Sequence, residues 1–221
     1  MRRVLVLRPE PGASATVEKA RGKGLDAVAI PLFEIEPVAW QAPDPGGFDA
    51  LLLTSAKAVR MGGDELMKLR GLPVHAVGEA TAEAARGAGF DIASVGDAGV
   101  DRLLDSLDPD LRLLHLCGED RRDPLKAPQS IAPVTVYRAM AIDRPDVSGA
   151  SGAVALVHSP RAARRLAELV DGRGSIVIAA ISPAAAEAAG GGWQQVESAD
   201  APNDEAVLAL AARLCNKPAP Q

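Results

Sequence analysis

The sequence predicts an α/β protein built on doubly wound parallel sheets, and three observations lead there. Short, continuously apolar runs recur along the chain, as in parallel strands covered on both faces. A turn and an alanine-rich helical pattern follow these runs. The chain also repeats itself, since LLLTSAKAVR at 51–60 recurs as ALVHSPRAAR at 155–164, 104 positions further on.

In chain order, strands are expected at residues 4–7, 51–53, 74–77, 113–116, 154–157 and 176–181, where Val, Leu, Ile and Ala dominate. Helices are expected at 56–69, 80–88, 161–170 and 184–189, each after one of these strands. Two more, at 101–107 and 204–214, open on acidic residues, which suit the positive end of the helix dipole. The repeat continues through them. AVGEATAEAA at 76–85 falls over AISPAAAEAA at 180–189, and 101–104 over 205–208, both at the same offset of 104. RVLVLRPE at 3–10 resembles RLLHLCGE at 112–119, at the larger offset of 109. Four segments in one order at nearly one spacing predict two related α/β units.

Composition narrows the function. The 221 residues are 48% hydrophobic and 24% charged, so the chain can bury a core in one large domain or two small ones. No run approaches the roughly 18 apolar residues of a membrane helix. The opening MRRVLVLRPEPG has too short an apolar stretch for an export signal. Cys117 and Cys215 cannot build a disulfide scaffold and fit a reduced, cytoplasmic protein. His75, His115 and His158 never fall at the i, i+4 spacing of a helical zinc site, and no metal is expected. Aromatic residues are only 3% and the net charge is −5, which speaks against nucleic-acid binding. No GxGxxG, GxxxxGK[ST] or GxSxG motif occurs. Glu119, Asp120 and Asp123 cluster, but two arginines interrupt them, as in a solvated turn. A small-molecule substrate is the remaining class.

In parallel α/β sheets ligands bind at the carboxyl ends of strands, where loops lead into helix N-termini. Those positions hold Arg8, then Ser55, Ala56 and Lys57, then Gly78 and Thr81. Further along they hold Glu119 and Arg121, Ser159 and Arg161, and Ser182. Small residues let backbone approach a ligand, and free N–H groups attract anions. Equally, Ser55, Ser159 and Ser182 suit helix caps, with Pro160 and Pro183 at helix starts. Tyr137, the only tyrosine, lies in an extended stretch at 134–141 whose counterpart 104 positions earlier contains Phe33. Its phenol stays protonated at neutral pH and can donate to a leaving oxygen. It also suits a half-buried strand aromatic.

The segments VLVLRPEPG, LLLTSAKAVR, VGEATAEAARGAGF, GEDRRDPL, VYRAM, SPRAARRLAEL and NDEAVLALAARL span nearly the whole chain. In this order and spacing they resemble uroporphyrinogen-III synthase. The resemblance implies two flavodoxin-like domains facing across a cleft and joined by two extended crossings near 31–38 and 134–142. One domain would comprise 1–35 and 143–221, the other 38–138. It implies a cofactor-free, monomeric enzyme that cyclises the linear tetrapyrrole hydroxymethylbilane, handed over from hydroxymethylbilane synthase, to uroporphyrinogen III. Water is lost and ring D inverts through a spiro intermediate. Tyr137 would assist departure of the hydroxyl. Ser55, Thr81 and Ser159 would bind some of the substrate's eight carboxylates, with Arg8, Lys57, Arg121 and Arg161 as cationic candidates.

Three positions depart from the family pattern: His158 for a commoner Thr, Cys117 for an Arg, and 181–186, which lacks the usual Gly and Thr. The competing expectation is a non-catalytic two-lobed relative that binds a tetrapyrrole or other polycarboxylate. A regulator would need a further DNA-binding module, and after Leu214 only CNKPAPQ follows, expected to fray.

Overall fold

A computed structural model describes residues 1–97, 99–121 and 127–215. In chain order the elements are β1 (Val4–Val6), α1 (Gly12–Gly22), β2 (Ala27–Ala29), β3 (Phe33–Pro37) and β4 (Ala50–Leu53). There follow α2 (Ala56–Met61), α3 (Gly63–Met67), β5 (Val74–Val77), α4 (Glu79–Gly87), β6 (Ile92–Gly96) and α5 (Val100–Asp105). Next come β7 (Arg112–Gly118), β8 (Ser130–Ala141), β9 (Val154–Val157) and α6 (Pro160–Leu169). The last are β10 (Val177–Ala180), α7 (Pro183–Ala189), β11 (Gln195–Ser198) and α8 (Asp204–Cys215).

The chain divides into two compact units. One holds Met1–Glu34 and the described residues from Ala141 onward, the other Ile35–Met140. The first contains a five-stranded sheet in the order β11-β10-β9-β1-β2, parallel throughout. Counted along the chain this is the flavodoxin-type order, with its switch between β1 and β9. The second sheet runs β3-β8-β7-β4-β5-β6. Its five strands from β8 to β6 are parallel, and the switch lies between β4 and β7. Matching β4 to β9, β5 to β10, β6 to β11 and β7 to β1 gives the same spatial order in both sheets. The connectivity is permuted, because β1 and β2 precede β9 along the chain whereas β7 and β8 follow β4. The first-strand repeat has its own offset because five fewer residues separate it from the next matched segment in the second repeat.

The cores follow from strand alternation. In the second unit Leu51, Leu53, Val74, Ala76, Leu114 and Leu116 pack with Ala58, Val59, Ala82 and Ala85 of α2 and α4. The other face carries Ala50, Leu52 and Leu113, which pack with Leu103 and Leu104 of α5. In the first unit Val4, Val6, Val154, Leu156, Val177 and Ala179 pack with α1 and α8. Burying each Leu or Val stabilises by roughly 1.5–3 kcal/mol, so the apolar strands anchor both sheets.

Two sequence expectations are corrected. A single helix at 56–69 is replaced by α2 and α3, because Gly63 adopts a left-handed φ of 59° and interrupts the helix. Helix α1 and strands β2, β6 and β11 add to the expected elements. Pro9, Pro11 and Gly12 obscure the start of α1 in the sequence, and the three strands are short. The tail from Asn216, Asp123 and part of the GEDRRDPL segment lie outside the described residues.

Candidate active site

A topological switch point opens a crevice at strand carboxyl ends, so the loops after β4 and β7 are the place to look in the second unit. Both carry expected residues. Ser55 ends the turn after β4 and caps α2, its Oγ accepting the Lys57 N–H at 3.2 Å. The same hydroxyl favours the ionised form of the Tyr137 phenol on β8. Thr54 meets the buried His115 of β7, with 3.1 Å between Oγ1 and Nε2. The geometry thus joins β4, β7 and β8 around one tyrosine. Ala56 and Lys57 form the first turn of α2, and Glu119 and Arg121 are exposed just beyond β7.

Next to them, after β5, Gly78 begins α4 with φ 81° and ψ 145°, a conformation nearly confined to glycine. Thr81 is buried in the first turn of α4. The α4 N-terminus therefore presents backbone N–H groups beside the same sheet end.

Tyr137 is half-buried. Burial pushes its phenol above the ordinary value, the Ser55 hydroxyl pulls it down, and Cys117 and Asp120 push it up again. It is therefore a protonated donor at neutral pH.

In the first unit the switch lies between β1 and β9, and the loops there hold Arg8 and His158-Ser159. Arg8 Nη1 donates to Asp204 Oδ1 at 2.7 Å and to Thr16 Oγ1 at 3.3 Å, and Thr16 donates to Asp204 Oδ2 at 3.1 Å. His158 Nε2 lies 3.6 Å from Asp204 Oδ1, a charge contact too long for a hydrogen bond. Neither ring nitrogen of His158 has a hydrogen-bond partner among the described residues. His158 beside it, with Arg8 and Thr16, holds the Asp204 carboxyl well below the usual carboxylate range, although burial opposes this. A substrate carboxylate would compete with Asp204 for Arg8. Ser159 and Ser182 cap α6 and α7, accepting the N–H groups of Ala162 at 3.1 Å and Ala185 at 3.3 Å. The Arg161 guanidinium stacks 4.6 Å from the ring centre of Phe33, the repeat counterpart of Tyr137. The two sets of candidates thus belong to two sheet ends, one in each unit.

Residues 14–209 match the family described as uroporphyrinogen-III synthase HemD. The chain belongs to that family. A curated uroporphyrinogen-III synthase from Chlorobaculum parvum is 36% identical over 92 residues, which takes in 38% of this chain and 37% of that protein's length. The fold is shared with uroporphyrinogen-III synthetase of Helicobacter pylori 26695, at a TM-score of 0.67 and 19% identity over 97% of this chain and all of that one. A mutant uroporphyrinogen III synthase of the extremely thermophilic bacterium Thermus thermophilus superposes at a TM-score of 0.50, with 19% identity over 96% of this chain and 98% of that one.

Within this uroporphyrinogen-III synthase family chain, sequence reasoning missed Asp204, Thr16 and the Thr54–His115 pair. Asp204 reads locally as an acidic helix start, and no local signal ties it to Arg8, 196 residues away. The Thr54–His115 pair could have been found: both residues sit at strand ends that a switch point brings together. Among the described residues no cluster of His, Cys, Asp and Glu could hold a metal ion, and no helix is long and apolar enough to cross a membrane.

Proposed function

We propose that this chain is a uroporphyrinogen-III synthase, a cyclising hydro-lyase that converts hydroxymethylbilane to uroporphyrinogen III. The observation that carries the reading is the family match across residues 14–209. The protonated phenol of Tyr137 at a switch-point sheet end supports it.

The chemistry asks little of strong acids or bases and much of orientation. Tyr137 donates its proton as the terminal C–O bond breaks, so hydroxide leaves as water. The pyrrole nitrogen lone pair supplies the electrons, which leaves an electrophilic azafulvenium cation opposite the phenolate. Attack at a substituted carbon of ring D gives the spiro intermediate, and fragmentation with reclosure delivers the inverted ring. Without guidance, closure at the free carbon gives the symmetric isomer I.

Substrate carboxylates are held at the α4 start by Gly78 and Thr81, and at the α2 start by Ser55, Ala56 and Lys57. Glu119 and Arg121, exposed just beyond β7, complete the candidates at that sheet end. In the other unit Arg8, Ser159, Arg161 and Ser182 take the same role at their own sheet end. No cofactor enters any step. The same reading makes the chain a cytoplasmic monomer supplied by hydroxymethylbilane synthase. The test is product analysis. Protein-dependent uroporphyrin III, recovered after oxidation, supports the activity; uroporphyrin I alone from folded protein refutes it.

A further inference from the structure

The β7–β8 ladder is not regular at its carboxyl end. Cys117 pairs with Thr135, but Gly118 pairs with Tyr137, so Val136 is one residue extra on β8. Such a bulge re-aims the side chains beyond it. The Glu119 N–H donates to the Tyr137 carbonyl at 2.9 Å and fixes the shifted register.

The bulge brings the Tyr137 ring directly over Gly118. A Cβ built on Gly118 would lie 2.6 Å from Cε2, 2.7 Å from Cζ and 3.0 Å from the phenol oxygen. No side chain fits there unless the ring moves. Gly118 is not among the glycines with positive φ, so its contribution is space rather than backbone freedom. Strand β7 lies beside β4, at whose carboxyl end Ser55 stands, and the Ser55 hydroxyl favours the ionised phenol. Ser55 in turn accepts the Lys57 N–H at the start of α2.

We propose that Gly118 is the positioning residue for Tyr137, its bare backbone seating the ring, and that Ser55, at the end of the neighbouring strand β4, stabilises the phenolate as it forms. The inference rests on the synthase reading, in which Tyr137 protonates the departing hydroxyl. As the C–O bond breaks, the bond's electron pair leaves with the oxygen and the phenol proton joins it to form water. The phenolate left behind receives the Ser55 O–H.

A helix cap and a phenol anchor make different demands on residue 55. Glycine is nearly as good a cap as serine, but it has no hydroxyl. The experiment compares wild type, Ser55→Gly, Ser55→Thr and Gly118→Ala. Isomer III kinetics are measured together with the ultraviolet titration of the phenol, which reports Tyr137 alone because the chain has one tyrosine. Ser55→Gly is expected to lower kcat at least about tenfold, a larger change than in KM, because the backbone N–H groups of the α2 start remain to hold the carboxylate. Its phenol should ionise at higher pH than in wild type, and Ser55→Thr should restore both readouts. Gly118→Ala is expected to lower kcat at least as much and to move the phenol titration downward as the ring is pushed out.

If folded Ser55→Gly keeps wild-type kcat and its phenol titrates as in wild type, the proposal is overturned. The same holds if kcat falls in the Ser55→Gly and Gly118→Ala variants with no change in either titration. The titration reads the seat whether or not the chain turns over. Shifted titrations in a protein that makes no isomer III would overturn the synthase reading and leave the seat standing.

Discussion

Tyr137 and Asp204 organise the two sheet ends through opposite electrostatics. Tyr137 holds its proton because burial disfavours the phenolate. Tyr137→Phe removes only that proton donor, so turnover should fall by about 10²–10⁴-fold with an unchanged thermal melt. Unchanged turnover would take Tyr137 out of the mechanism. Asp204 loses its proton readily because His158, Arg8 and Thr16 favour the carboxylate. Its folded value lies below the ordinary 3.8, so on acidification the unfolded chain takes up the proton first. The resulting stabilisation is complete above the ordinary value and is lost as pH falls through the folded one. Asp204→Asn should therefore cost about 1–3 kcal/mol at neutral pH and flatten the acid limb of a stability–pH curve. An unchanged acid limb would show that the cluster contributes nothing to stability.

At the scale of elements, the helix starts carry the candidate site, and their strain and caps can be measured. Gly78 meets open space where a Cβ would stand, so Gly78→Ala tests backbone strain alone. It should destabilise by about 1–3 kcal/mol, seen as a lower urea midpoint at constant m-value. Ser182→Ala removes the α7 cap and should cost about 1 kcal/mol. A change within error would mean that the Ala185 N–H finds water instead. Much of this layer was legible from sequence. The runs at 51–53, 74–77, 113–116 and 154–157 fall within β4, β5, β7 and β9, because continuous apolar stretches leave parallel strands few alternatives. Ser159 and Ser182 read as caps because the cap signal is local. The split between α2 and α3 was hidden, since Gly62-Gly63 can be tolerated in a helix until a tertiary neighbour decides. The bulge at Val136 was hidden for the same reason: it exists only in the pairing with β7.

At the scale of the molecule, one sheet plan is used twice. The repeat at 104 residues was legible because β4 to α5 and β9 to α8 run in the same order. The second offset of 109 reflects five fewer residues after the first strand of the second repeat. The repeat already set Phe33 opposite Tyr137; what it could not reveal is the partners of each ring. One unit buries Tyr137 and holds its proton, while the other has Phe33 under Arg161 and spends Arg8 on Asp204. Such division of labour follows from tertiary partners, which a repeat alignment does not contain. In the proposed mechanism proton donation belongs to one sheet end and the other serves binding. The most direct test supplies the protein with hydroxymethylbilane generated in place and counts uroporphyrinogen III formed per protein molecule. Many turnovers of isomer III, rising with protein at the expense of isomer I, are expected. Isomer I alone at every concentration of folded protein would contradict the assignment.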